Sequence, residues 1–290
     1  MGEISKKLAS RLQKAKDRLT DLSRQLATDF ACVPKNPTAS KTLGPSDLDP
    51  LHTFYIAGQN FASYFSEKVS QFPELTPYYD IMAQAQEEYM PSAPPMSPLT
   101  NSYFTLWAFF DMKFGRDQET ISQCIMDLAG PLKMDAIASE TIRRMQASRM
   151  GIYEVIGKEG NRCRMRELVT EDEFVCHVAS GYQGSRGELW YVRLGPPLNE
   201  WFDYHVVITT PYVLLGATKV DWVAYLKKSI LGSSDMRKAL HQFLKYGKAS
   251  VSRKADESWN EFIFQAYHHH KTEVIFLSGI PDVKGSLPHA

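Results

Sequence analysis

Nine lysine and arginine side chains fall between Lys219 and Lys254, opposed only by Asp221 and Asp235, which leaves that stretch with a net charge of +7. The chemistry open to such a run is electrostatic. Like charges this close repel unless an acidic neighbour offsets them; the candidates are the chain's own negative middle segment, an acidic protein or phosphates, and the run is read as a surface for an acidic protein partner or for nucleic acid. The candidate binding residues are Lys227, Lys228, Arg237, Lys238, His241, Lys245, Lys248, Arg253 and Lys254. After Ser234, Arg237, His241, Lys245 and Lys248 recur at steps of four, four and three, along one stripe of a helix, while Met236, Leu240 and Phe243 fall on another. The spacing predicts an amphipathic helix with a basic outer face. Gly232, Ser233 and Ser234 would join it to a preceding helix in a helix-turn-helix arrangement. That fit is poor, because Lys228 and Lys238 occupy positions that should be small or apolar.

Other reactive side chains assemble less well. His268, His269 and His270 are consecutive, so on a helix they splay by about 100° each and do not converge on one ion. Glu257 and Glu261 share a face, but the HExxH and ExxH spacings of helical metal sites are missing, and the expected metal complement is none. No GxSxG elbow, phosphate-cradling GxxxxGK[ST] or dinucleotide GxGxxG is present, so no cofactor is expected. Cys176 precedes His177, yet neighbours on a strand point to opposite faces and do not make a nucleophile–base pair. The glycines at 181, 184 and 187, with Tyr182, Arg186 and Glu188, read as a long hairpin connection or as an approach to an anionic ligand. Asp282, in the turn-rich tail after an apolar stretch, is a lone carboxylate. The proline-rich connector Met90–Leu99, followed by Tyr103, Phe104, Trp107, Phe109 and Phe110, reads as a core helix entered through a rigid turn or as an aromatic-lined groove. The four cysteines, at 32, 124, 163 and 176, lack zinc-site spacing and read as buried free thiols.

The elements that position these groups follow from periodicity. Leu8, Leu12, Ala15, Leu19, Leu22 and Leu26 form a seam over almost three heptads, read as an amphipathic helix that docks on its own domain, as an arm making a coiled-coil contact for oligomerisation, or as a membrane-surface helix. Four prolines in Pro34–Pro50 mark a linker. Helical patterns follow at Leu51–Phe72, Pro77–Tyr89, Ser102–Phe114, Gln118–Leu128 and Asp135–Met150, with Pro50 suited to a first turn and Asp135 to a cap. From Ile152 the period shortens. Ile152–Ile156, Arg162–Leu168, Phe174–Val178, Leu189–Leu194 and Tyr204–Thr210 are strand-like, and Gly160 and Asn161 suit a tight turn. Arg162, Arg164 and Arg166 must share one strand face. Helices return at Val220–Leu231, Asp235–Tyr246 and Ala255–His270, before a last strand at Glu273–Leu277.

The 290 residues balance 33 basic against 33 acidic groups, and 43% are apolar, enough for a sizeable core. Charge is unevenly distributed: +3 over residues 1–30, −4 over 31–150, −3 over 151–214 and +4 over 215–290. No run reaches the roughly 18 to 20 apolar residues of a membrane-spanning helix, and the N-terminus lacks a secretory pattern, so the expected location is cytoplasmic. The expected fold class is α+β, a helical domain with a small antiparallel β-barrel-like module of about five strands. The expected organisation is a helical arm (1–33), a linker (34–50), a helical domain (51–150), a small β module (151–214) and a basic helical C-terminal region with a final strand (215–290). The expected function is that of a non-enzymatic binding or regulatory protein acting through the basic C-terminal surface. Two alternatives stand beside it: an enzyme with an aromatic-lined pocket or a histidine-containing metal site, and a structural component oligomerising through Leu8, Leu12, Leu19, Leu22 and Leu26.

Overall fold

Proline 50 opens its helix where its missing N–H costs nothing, and the Asp49 side chain accepts from the His52 amide. The computed structural model describes residues 1–31, 33, 48–89, 98–214 and 218–246. Cys32, Lys248, Arg253, Lys254, the three consecutive histidines, the expected helix Ala255–His270, the strand Glu273–Leu277 and Asp282 lie outside the described residues. Helices and strands both contribute, so the class is α+β. In order along the chain the elements are α1 (Glu3–Lys14), α2 (Lys16–Ala31), α3 (Pro50–Ser70), a 3-10 turn (Pro73–Leu75), α4 (Thr76–Tyr89), α5 (Pro98–Phe110), α6 (Ile121–Asp127) and α7 (Ala136–Ala147). Then come β1 (Met150–Glu159), β2 (Arg162–Glu167), β3 (Glu173–Val178), β4 (Leu189–Gly195), β5 (His205–Val207) and β6 (Tyr212–Val213), followed by α8 (Lys219–Ser229) and α9 (Met236–Tyr246).

Two compact units interleave along the chain. The first comprises Met1–Ala83, Ala108–Ser148 and Gly195–Asp203. The expected single N-terminal helix is two, because Ala15 leaves helical geometry at φ −99° and ψ 65°. That break lets α1 pack on α6 while α2 packs on α3. Leu8, Leu12, Leu22 and Leu26 are buried in the process and Leu19 is half-buried, so the heptad-like seam is closed by the chain's own helices. Phe54, Phe61, Phe65 and Val69 line the inner side of α3, and Asp135 caps α7 by accepting from the Ala138 amide. The Tyr55 hydroxyl donates to the Pro196 carbonyl.

The second unit comprises Gln84–Trp107, Arg149–Leu194 and the residues from Tyr204 onward. Its strands close into a barrel in the order β1-β2-β3-β5-β4, with β4 returning to β1 and β6 extending the ladder along β4. The resolved registers are antiparallel for β1–β2, β1–β4, β2–β3 and β4–β6, and parallel for β3–β5. The parallel pair has a physical cause: β4 and its two connections lie between β3 and β5 in the chain, and a crossover of that length lets β5 re-enter beside β3 in the same direction. Alternate residues fill the barrel, among them Tyr153, Val155, Cys163, Met165, Cys176, Trp190 and Val192. All of β4 is buried, because its outer face is covered too. There the Tyr103 hydroxyl of α5 donates 3.0 Å to the Tyr191 carbonyl, with its ring 5.8 Å from that of Tyr191.

Candidate functional site

The basic stretch is built on a helical hairpin whose two helix starts are capped by its own side chains. Thr218 and Asp221 form a reciprocal capping box at the start of α8: the Thr218 amide donates to Asp221 at 2.8 Å and the Asp221 amide to the Thr218 hydroxyl at 3.3 Å. Trp222, Tyr225, Leu226 and Ile230 are buried on one side of α8. Gly232 then turns the chain at φ +87°, a conformation that costs glycine little. Asp235 starts α9 by accepting from the Lys238 amide at 3.0 Å. Leu240, Phe243 and Leu244 are buried beneath α9, which packs on β1, and the Phe243 ring meets Tyr225 edge-on at 6.3 Å.

Carboxylates of the barrel hold the basic side chains nearest to them. Lys219 Nζ lies 2.5 Å from Glu154 Oε2 on β1. Arg237 pairs with Asp172 in the β2–β3 turn, and this hydrogen-bonded guanidinium holds the Asp172 carboxyl below the usual carboxylate range. Asp172 is itself placed by a buried framework. Glu167 takes Arg149 at 2.7 Å on one oxygen and the Thr170 hydroxyl at 2.7 Å on the other, and the Glu167 amide donates to the Asp172 carbonyl. Glu171, at φ +59°, completes this turn.

The expected basic stripe therefore does not face water as a whole. Arg237 is tied to the barrel, His241 is half-buried, and Lys245 is only 4% exposed and engaged within the protein. A lysine stem packs readily on apolar surface, which is how position 245 enters a helix face that charge alone assigns to solvent. Solvent-exposed lysines sit nearer the hairpin's turn. Lys227, Lys228 and Lys238 are exposed, and among the described residues Lys227 and Lys238 form no ion pair. Beside them Leu231 is 79% exposed and Met236 48%. Sequence reasoning missed Glu154 and Asp172 as partners. The signal that pointed toward them was the −3 balance of residues 151–214 against the +4 of the segment that follows.

The remaining candidates are placed as follows. Arg164 and Arg166 both reach Glu173, at 2.7 and 2.6 Å, and the Arg162 guanidinium lies 3.5 Å from the centre of the Tyr204 ring, so the arginine face of β2 is used internally. Glu188 accepts from Trp190 Nε1 at 2.9 Å and from the Tyr182 hydroxyl at 3.1 Å, which folds the glycine-rich loop against β4. Tyr103, Phe104, Trp107, Phe109 and Phe110 are all buried as core. Cys124, Cys163 and Cys176 are buried free thiols, and burial pushes Cys163 up to about 11 and Cys124 up to about 12. Among the described residues no three His, Cys, Asp or Glu side chains converge as a metal site, and no helix is long and apolar enough to cross a membrane.

Fold and site together define a class: an α+β protein in which a partly basic helical hairpin is docked on a small mixed barrel. Compared with known proteins, the chain matches no family model, no curated protein and no solved structure.

Proposed function

We propose that this is a non-enzymatic binding or regulatory protein that holds an acidic protein partner at the turn of the α8–α9 hairpin. The observation that carries the reading is the grouping of exposed Lys227, Lys228 and Lys238 with Leu231 and Met236. A phosphate backbone uses the lysines but has no use for exposed leucine and methionine. A protein interface uses both: apolar side chains anchor its centre, and charges around them steer association. The pairing of Arg237 with Asp172 and the burial of Lys245 weigh against α9 as a groove-reading helix, since two cations of that stripe already have intramolecular surroundings.

The test is fluorescence anisotropy with two labelled probes of equal charge, an acidic peptide containing leucines and a single-stranded oligonucleotide. The peptide is expected to bind more tightly, to weaken as salt rises, and to lose affinity about tenfold or more in Lys227→Glu/Lys238→Glu. Leu231→Ser should weaken the peptide alone. Tighter oligonucleotide binding, indifferent to Leu231→Ser, overturns this reading in favour of nucleic acid, and binding of neither probe removes it altogether.

A further inference from the structure

We infer that the barrel carries a reversible redox switch, in which Cys163 of β2 and Cys176 of β3 join as a cross-strand disulfide when a peroxide oxidises the chain. The two residues are register partners in the antiparallel β2–β3 pair. Residues directly opposite in such a pair lie about 4.5 to 5.5 Å apart at Cα, inside the roughly 4.4 to 6.8 Å that a disulfide spans. Both side chains also point the same way. Cys163 and Met165 on β2, and Cys176 and Val178 on β3, belong to one core cluster inside the barrel, while Arg164, between the first two, is exposed. Register and alternation together set the two thiols side by side. Among the described residues the other free cysteine is Cys124, which belongs to the first unit.

Cys163 is the point of entry. It follows the exposed turn at Gly160 and Asn161 and pairs across β1 with exposed Lys158. Burial pushes its thiol up to about 11, and Lys158 works against that rise. Cys176 is 0% exposed, and burial raises it further still. The oxidant is therefore small and neutral, hydrogen peroxide, and it meets Cys163 first. The Cys163 sulfur attacks one peroxide oxygen: an S–O bond forms, the O–O bond breaks, and the departing hydroxide leaves as water with the thiol proton. The Cys176 sulfur then attacks the sulfenic sulfur. An S–S bond forms, the S–O bond breaks, and the hydroxyl leaves as a second water with the Cys176 proton. Each sulfur gives up one electron and the peroxide takes both. A dithiol reverses the change by thiol–disulfide exchange. The bond staples β2 to β3 beneath the turn that carries Asp172 and restricts the unfolded chain. It is separate from the α8–α9 hairpin and does not depend on what that hairpin binds.

The test maps disulfides in the folded full chain after treatment with hydrogen peroxide, with free thiols alkylated before digestion. A peptide linking Cys163 to Cys176 is expected as the main disulfide product. The chain should lose the mass of two hydrogen atoms without dimerising, regain it with dithiothreitol, and unfold at a higher urea concentration while oxidised. Moving one cysteine by a single residue, in Val175→Cys/Cys176→Val, turns that thiol to the other face of β3 and should abolish the link. The wild-type map decides the matter if that variant does not fold. A link made chiefly to Cys32 or Cys124, a sulfinic acid at Cys163 with no link, thiols left untouched while the chain is folded, a lowered urea midpoint, or a link that survives the one-residue shift each overturns the switch.

Discussion

Lys219 Nζ sits 2.5 Å from Glu154 Oε2, so the first cation of the basic stretch is a docking contact between α8 and the barrel. Arg237 and Asp172 do the same for α9. Both pairs are substantially exposed and screened, so each adds little to stability. Lys219→Ala and Arg237→Ala are therefore expected to move the urea midpoint only slightly and to leave partner binding within about threefold of wild type. Lys227→Glu and Lys238→Glu should reverse the pattern, sparing stability and removing affinity. Equal loss of affinity from all four substitutions would show that the docked cations belong to the binding surface.

Glutamate 167 presents a larger effect. Its side chain is 5% exposed, and its partner Arg149 13%. Removing the carboxylate leaves a buried guanidinium without its counter-charge, a situation that costs about 3 to 5 kcal/mol. The same carboxylate positions Thr170 and, through the turn, Asp172. Glu167→Ala is expected to lower the urea midpoint by that order and also to release Arg237 from Asp172. A loss under about 1 kcal/mol would mean that solvent reaches Arg149 far more freely than its burial implies.

Legibility followed the range of the interactions. The caps at Asp49 and Asp135 act three residues away along the chain, and both helix starts were readable from local sequence. The first five strands carried enough alternation to be seen, whereas the two residues of β6 did not, and the parallel β3–β5 pair depends on a partner chosen across the whole barrel. The break at Ala15 is invisible to a seam that continues through it, because the interruption serves packing on two different helices. In the candidate site, periodicity found the charged stripe but not its direction. Only three-dimensional proximity to Glu154 and Asp172, and the room beneath Lys245, decides which cations are docked on the protein.

The N-terminus of α1 offers a test of a contact that spans more than a hundred residues of sequence. Glu119 accepts from the Ile4 and Ser5 amides and from the Ser5 hydroxyl, while Asp117 takes the Glu3 amide at 2.8 Å. These are the donors a helix start leaves unpaired, and a carboxylate there also meets the positive end of the helix dipole. A Cβ at Gly2 would come within 2.3 Å of Glu119 Cδ, so the close approach requires glycine. Glu119→Ala is expected to cost about 2 to 3 kcal/mol and Glu119→Gln less, since an amide keeps one acceptor. Gly2→Ala should destabilise in the same direction without removing any hydrogen-bonding group, and hydrogen exchange in Ile4 and Ser5 should accelerate in each variant.

His205 makes stability depend on mildly acidic pH. It opens β5 beside Phe174, with ring centres 4.9 Å apart, and burial lowers its pKa from the usual 6.5 to about 4. In the folded chain the imidazole stays neutral down to that value, whereas in the unfolded chain it takes up a proton below about 6.5. Between the two, the unfolded state binds more protons, so stability falls as pH drops from about 6.5 toward 4 and this contribution levels off below. The slope approaches about 1.4 kcal/mol per pH unit, for a total of order 3 kcal/mol. His205→Gln should flatten that part of the profile in urea titrations at pH 7.0, 5.5 and 4.5, with the carboxylates setting the common background. An unchanged profile in the variant would mean that His205 is hydrated enough to titrate normally.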